Sequence, residues 1–231
     1  MTGPGVRADA SRSLRARVIS TALGMNEAGV NRGKSGNVSV RWREPDFDGF
    51  LITPTGMPYG DLAPDDIVAV ALGGETRGRR APSSEWRFHR DIYGARDDVD
   101  AIVHAHAPFC TALACHSRTI PPFHYMVAVA GGPDIRCAPY ATFGSQALAD
   151  AALSALAGRR ACLLAHHGMI AVGADLDRAL ALAVEVETLA EIYWRAIQIG
   201  EPACLDPDEM QRVIEKFSTY GQPLPAGDRP D

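Results

Sequence analysis

Ala101-Ile102-Val103-His104-Ala105-His106 is the stretch from which the rest of the chain is read. Three apolar residues precede two histidines spaced one residue apart. Successive side chains of a strand point to opposite faces, so the run predicts a short buried strand with His104 and His106 on one face. Two imidazoles on one face at the end of an apolar strand point to a metal site. A second histidine pair, His166-His167-Gly168, follows another apolar run, and a carboxylate, Glu85, stands upstream in Pro82-Ser83-Ser84-Glu85. Three histidines and a carboxylate make the nitrogen and oxygen set that Zn²⁺ takes in catalytic sites. Taken alone, Glu85 has a plainer explanation: an acid in the first turn of a helix favours the helix dipole.

Composition narrows the class. The chain has 231 residues, 46% apolar and 22% charged, which fits one ordinary globular core and argues against disorder. The net charge is −5, with Lys+Arg 23 against Asp+Glu 28, so nucleic acid is a poor partner. A phosphorylated substrate has to be held by local groups. No apolar run approaches a membrane span and the N-terminus lacks an apolar signal region, so a cytoplasmic protein is expected. Five cysteines, widely spaced and odd in number, read as reduced thiols.

Working outward, residues 1–10 read as a loose leader. Leu14, Val18, Ala22 and Met25 recur at helical spacing over 11–28, with Ser11 or Ser13 as cap and Gly29 as the stop. Residues 31–36 form a polar glycine loop, after which Val38, Val40 and Trp42 alternate as a strand. Such a loop exposes backbone N–H groups and can hold a phosphate, although a plain turn explains the same residues. Residues 43–49 read as a hairpin connection and 50–53 as the returning strand. Thr53-Pro54-Thr55-Gly56 is a second turn, 67–70 a strand and 73–80 a solvated loop.

Ser83 or Ser84 caps a helix through Trp86, Phe88, His89, Ile92 and Tyr93. A helix from Pro108 to His116, an irregular stretch over 120–126 and a short strand within 135–139 follow. A helix from Gly144 or Ser145 to Ala157 comes next, then two strands flanking the second histidine pair. The longest helix spans 175–200, and a last one starts at Asp206-Pro207. Many short strands with segregated helices predict one α+β domain, 11–221, with a mainly antiparallel sheet. Residues 222–231 read as a flexible tail.

Eight short motifs then occur in one order: GNVS at 36–39, TPTG at 53–56, SSEW at 83–86, HAH at 104–106, HYM at 124–126, CAPYATFG at 137–144, HHG at 166–168 and KFSTYG at 216–221. Together they resemble the class II, zinc-dependent aldolases of the aldolase–adducin superfamily, from about Leu14 to Gly221. Within it the branch that cleaves L-fuculose 1-phosphate is most similar.

The resemblance implies a three-layer α/β/α fold with a central, mainly antiparallel sheet. It implies one Zn²⁺ per subunit on His104, His106 and His167. Glu85 is then the catalytic acid/base and also approaches the zinc when substrate is absent. Gly36, Asn37, Thr55, Gly56, Ser83 and Ser84 match a cradle for the substrate phosphate. Tyr125 matches a tyrosine that protonates the leaving aldehyde oxygen, and Tyr220 a tail tyrosine that closes the site. Both reach a neighbouring subunit of a fourfold homotetramer. The choice of His167 over His166 rests on the resemblance alone. His89 and His116 read as structural or exposed, His124 as a support for the site and His166 as a support for its neighbour.

The implied reaction is reversible cleavage of a ketose 1-phosphate, L-fuculose 1-phosphate first, to dihydroxyacetone phosphate and L-lactaldehyde. A 5-deoxypentulose 1-phosphate aldolase and a pentulose-5-phosphate 4-epimerase are alternatives on the same scaffold. An adducin-like interaction module without metal is the non-enzyme alternative. Two departures stand out. Lys34-Ser35 precedes GNVS where smaller, uncharged residues are expected, and 43–49 is longer than the expected turn. Lys34 either adds a cation near the phosphate or is simply solvated.

Overall fold

A computed structural model describes residues 4–219, with side chains over 10–217. The stretch 101–105 is buried throughout because it lies mid-sheet, covered on both faces. It forms β5 (Ala101–Ala105), paired antiparallel with β1 (Asn37–Glu44) on one side and β8 (Gly168–Gly173) on the other. The remaining strands are β2 (Phe47–Ile52), β3 (Val68–Ala71), β4 (Thr76–Arg77), β6 (Cys137–Ala138) and β7 (Ala161–Leu164). The sheet order is β4-β3-β2-β1-β5-β8-β7-β6, and only β6 and β7 run parallel.

Strand parity sorts the core into two layers. Val38, Leu51, Val103, Ala105, Leu163 and Met169 face one side. They pack with Val18, Ala22 and Met25 of α1 (Pro4–Glu27), Leu113 of α3 (Pro108–Cys115) and Val186 and Leu189 of α5 (Leu176–Ala196). Phe50, Ile52, Ile102 and Ile170 face the other side, against Phe88 and Ile92 of α2 (Trp86–Ala95) and Leu148 and Ala152 of α4 (Gln146–Ala155). A last helix, α6 (Pro207–Thr219), packs on the 3₁₀ segment Tyr125–Ala130. The expected class, a mainly antiparallel sheet between helical layers, is the fold observed. Among the described residues no helix is long and apolar enough to cross a membrane.

Local differences have local causes. α1 begins at Pro4, so part of the expected leader is helical, and Ser11 and Ser13 lie inside the helix instead of capping it. Gly29 does end it, with φ +74° and the Val30 N–H returning to the Met25 carbonyl at 3.1 Å. The expected connection over 43–49 is a tight hairpin, because Glu44 pairs with Phe47 and leaves only Pro45 and Asp46 in the turn. The solvated loop at 73–80 contains β4. Ser145 and Asp175 cap α4 and α5 through their side chains.

Candidate active site

The ends of neighbouring strands inside the sheet deliver the histidines. β5 carries His104 on the face of Ile102, towards α2, and His106 follows just past its end. The turn from β7 into β8 delivers His167. Gly168 lies so close to β5 that a Cβ there would stand 2.5 Å from the Ala105 carbonyl oxygen and 3.2 Å from the His106 ring. His166 takes φ +56°, in the left-handed region, and its ring is exposed, edge-on to Tyr140 at 5.9 Å. His167 turns inward instead. The three ring centroids of His104, His106 and His167 lie 4.8 to 5.1 Å apart.

Glu85 is the residue just before α2, and it makes no side-chain cap. The dipole explanation for it is therefore not the whole one. Its buried carboxylate faces the rings, with Oε2 3.1 Å from His104 Nε2 and Oε1 3.1 Å from His167 Nε2. One donor atom from each of Glu85, His104, His106 and His167 lies within 4.8 Å of the others. His104 Nδ1 sits 2.9 Å from the Met169 carbonyl, which only accepts, so Nδ1 carries the proton and a neutral ring presents a bare Nε2. His104 Nε2, His106 Nε2 and Glu85 Oε1 are buried without a hydrogen-bond partner. Bare lone pairs facing a carboxylate repel unless positive charge lies between them, and a divalent cation satisfies all four groups at once.

The electrostatics agree. Burial pushes the Glu85 carboxyl up; when His104 and then His167 carry a proton towards it, their charge and hydrogen bonds outweigh burial and hold the group well below the usual carboxylate range. Burial, reinforced by His104 and His167, lowers His106 to about 4, so its ring is neutral at pH 7.

Three loops meet beside Glu85. The Val38 N–H reaches Thr53 Oγ1 at 3.3 Å, the Ser83 N–H reaches the Thr53 carbonyl at 3.0 Å and the Thr55 N–H reaches the Ala81 carbonyl at 3.2 Å. Gly36–Asn37, Thr55–Gly56 and Ser83–Ser84 are thereby neighbours, with Thr55, Gly56 and Ser84 exposed and Asn37 and Ser83 buried. Gly36 is pinned by close approach, since a Cβ there would be 2.5 Å from the His104 carbonyl oxygen. The Asn37 amide donates to Glu85 Oε2 at 3.0 Å, so in this structure it points at the carboxylate. Lys34 Nζ donates to the Gly56 carbonyl at 2.8 Å, across the mouth of the same loops.

Tyr125 stands apart from this group. Tyr125 is 49% exposed and its ring neighbours are His124 and Phe217. Together with α6 these residues line a cleft of about 810 Å³. His124 accepts from the Met126 N–H through Nδ1, capping its own 3₁₀ segment; the expected support for the metal group is not among its contacts. Tyr220 lies outside the described residues.

His89, read from sequence as structural or exposed, is fully buried and bonded to Asn37. Burial lowers its pKa to about 3. A folded pKa below the ordinary 6.5 means that the unfolded chain binds the proton more readily in between. Stability is therefore complete above pH 6.5 and is lost as pH falls towards 3. At about 1.4 kcal/mol per unit, His89 alone removes about 2 kcal/mol between pH 7 and pH 5. Urea midpoints at the two pH values check this, and the His89→Gln variant is expected to show a smaller drop.

Neutral nitrogen donors, one carboxylate and a neighbouring set of N–H and hydroxyl groups are the parts of a metal-dependent enzyme. The family model "Class II Aldolase and Adducin N-terminal domain" matches residues 16–194. A "5-methylthioribulose-1-phosphate/5-deoxyribulose-1-phosphate aldolase" of Rhodospirillum rubrum is 58% identical over 90% of this chain and 93% of that protein. An "L-fuculose phosphate aldolase" of Escherichia coli is 48% identical over 90% of this chain and 95% of that protein. A solved "L-fuculose 1-phosphate aldolase" superposes with a TM-score of 0.85 at 42% identity, covering 89% of this chain and 96% of that one. The chain belongs to the class II aldolase and adducin family. It is a lyase of the aldolase branch, with a Glu and three His grouped to hold a metal.

Proposed function

We propose that this chain cleaves ketose 1-phosphates that lack a hydroxyl on their last carbon, with 5-deoxyribulose 1-phosphate ahead of L-fuculose 1-phosphate. The sequence motifs favoured fuculose; the relative at 58% identity reverses that order, against 48% for the fuculose relative. The observation that carries the aldolase reading is the inward-facing set of buried donor atoms without a hydrogen-bond partner, Glu85 Oε1, His104 Nε2 and His106 Nε2, completed by His167. An adducin-like module would have no need to keep these buried groups facing one another.

His104, His106 and His167 would hold one Zn²⁺, with Glu85 as the fourth, displaceable group. Bound there, the cation acts as a Lewis acid for the negative charge that cleavage leaves on the ketose oxygens. The substrate phosphate lies against Gly36, Asn37, Thr55, Gly56, Ser83 and Ser84, where N–H groups and hydroxyls converge. The bond between carbons 3 and 4 breaks. Tyr125 of a neighbouring subunit holds the carbon-4 oxygen and passes its proton, and Tyr220 closes the site over it in a homotetramer. Glu85 delivers a proton to carbon 3, giving dihydroxyacetone phosphate. The second product is acetaldehyde from 5-deoxyribulose 1-phosphate and L-lactaldehyde from L-fuculose 1-phosphate. The cytoplasm is the compartment that suits this metabolism and the five free thiols.

A coupled assay for dihydroxyacetone phosphate decides the matter, run on both ketose 1-phosphates with and without chelator. Chelator-sensitive release, faster from 5-deoxyribulose 1-phosphate, is the expected result. Interconversion of pentulose 5-phosphates without any release would replace the aldolase with a 4-epimerase. Lys34 is part of the same proposal, as the cation over an otherwise neutral phosphate cradle. Lys34→Gln is expected to raise KM about tenfold with kcat nearly unchanged, an effect that shrinks in high salt. An unchanged KM would leave Lys34 a solvated surface group.

A further inference from the structure

Asn37, Ser39 and Arg41 alternate on the face of β1 that looks at α2, while Val38 and Val40 face the opposite core layer. On α2, His89 and Tyr93 are four residues apart and share one face. Two residues of strand and four of helix advance by nearly the same distance, about 6–7 Å, so the two rows meet in register. The result is one continuous buried chain. Tyr93 Oη lies 2.8 Å from Ser39 Oγ, Ser39 Oγ 2.7 Å from His89 Nδ1, His89 Nε2 2.5 Å from Asn37 Oδ1, and Asn37 Nδ2 3.0 Å from Glu85 Oε2. Every member is at least 95% buried.

We propose that Tyr93, Ser39 and His89 form a positioning chain that fixes which way round the Asn37 amide sits and thereby holds Glu85 in place against the metal group. The polarity follows from what each atom can do. A carboxylate only accepts, so the NH₂ end of Asn37 must face Glu85 and its carbonyl must face His89. That carbonyl requires a proton on His89 Nε2. A neutral ring then has a bare Nδ1, which accepts from the Ser39 hydroxyl, and Ser39 in turn accepts from Tyr93. Phe50 and Phe88 pack on the His89 ring, at 6.2 and 4.6 Å between centroids, and burial keeps that ring neutral. Reversing any one link would put the Asn37 carbonyl against the Glu85 carboxylate. His89 is therefore a positioning residue two bonds removed from the reacting atoms. Its consequence for catalysis rests on the proton role given to Glu85 above; the orientation of the amide does not.

The test reads both. Nitrogen-15 NMR of the full-length, metal-loaded protein is expected to show His89 protonated at Nε2 and bare at Nδ1 throughout pH 6 to 8. A proton on Nδ1 instead would overturn the chain, whatever the protein catalyses. In kinetics, His89→Leu is expected to lower kcat about 10–100-fold per metal-loaded site while KM changes little. His89→Gln, whose amide can again donate to Asn37, should recover most of the loss. A merely structural histidine would instead lower thermal stability in both variants with no recovery of kcat. Should His89→Leu fold poorly, Ser39→Ala removes one hydroxyl from the middle of the chain. It is expected to lower kcat several-fold and to populate the Nδ1–H form of His89; an unchanged tautomer and kcat would overturn the proposal. If the unaltered protein releases dihydroxyacetone phosphate from no ketose 1-phosphate, the aldolase assignment fails, and the tautomer still decides the chain.

Discussion

Glu85→Gln is expected to lower kcat by about 10²–10⁴-fold, the range for loss of a positioned acid/base. The argument starts from shape. Gln keeps the length and planarity of Glu, and its carbonyl can still accept from Asn37 Nδ2, which now donates to Glu85 at 3.0 Å. The fold therefore has no reason to change. What is lost is the capacity to carry a proton and the negative charge itself. Metal content should stay near one per chain, because the three imidazoles supply three ligands without Glu85. Steady-state kinetics and metal analysis on the same sample separate the roles. Ordinary turnover in the variant would remove Glu85 from proton transfer. Loss of the metal with loss of turnover would make the carboxylate a ligand first and a base second.

How much of this was legible in the sequence depended on whether a signal was local. β5 and its two histidines were legible because an apolar run that ends in His-Ala-His needs only strand parity to be read. The glycine loop and the Ser83-Ser84 turn were visible, but nothing local says that they meet. That depends on Thr53, whose side chain and backbone bond both neighbours. The choice of His167 over His166 has its physical basis in one left-handed residue, φ +56° at His166, which no composition reveals. The sequence leaves His89 between a structural and an exposed reading, because a histidine in a helix carries no sign of burial by itself. The sign is joint: Asn37-x-Ser39 on a strand opposite His89-x-x-x-Tyr93 on a helix. The extension of α1 back to Pro4 was missed for the opposite reason, since that segment has no apolar periodicity. Tyr125 is reached by the fold yet faces Phe217 instead of the metal group, so its proposed role needs a second copy of the chain.

Metal removal is the other large effect. Chelation is expected to reduce cleavage to background, with recovery on adding Zn²⁺, and to lower thermal stability as well. Binding to the folded state alone stabilises by about 2.7 kcal/mol when free metal is 100 times its dissociation constant. For a chain of this length that is about 5–11 °C in Tm. The source of the stabilisation is visible in the site. Without a cation, a buried carboxylate and bare imidazole nitrogens face one another within 4.8 Å. Protons compete for the same lone pairs, and burial with the neighbouring rings holds His106 at about 4, below the ordinary histidine value. Metal affinity should accordingly fall as pH falls, because each ring that binds a proton stops being a ligand. The Tm difference between metal-loaded and chelated protein is thus expected to be wide at pH 8 and to narrow towards pH 4. Thermal melts at both pH values, with free metal buffered at a fixed level, measure it. A Tm and a turnover that ignore the chelator would mean that Glu85, His104, His106 and His167 hold each other and not a cation, and the aldolase mechanism would fall with them.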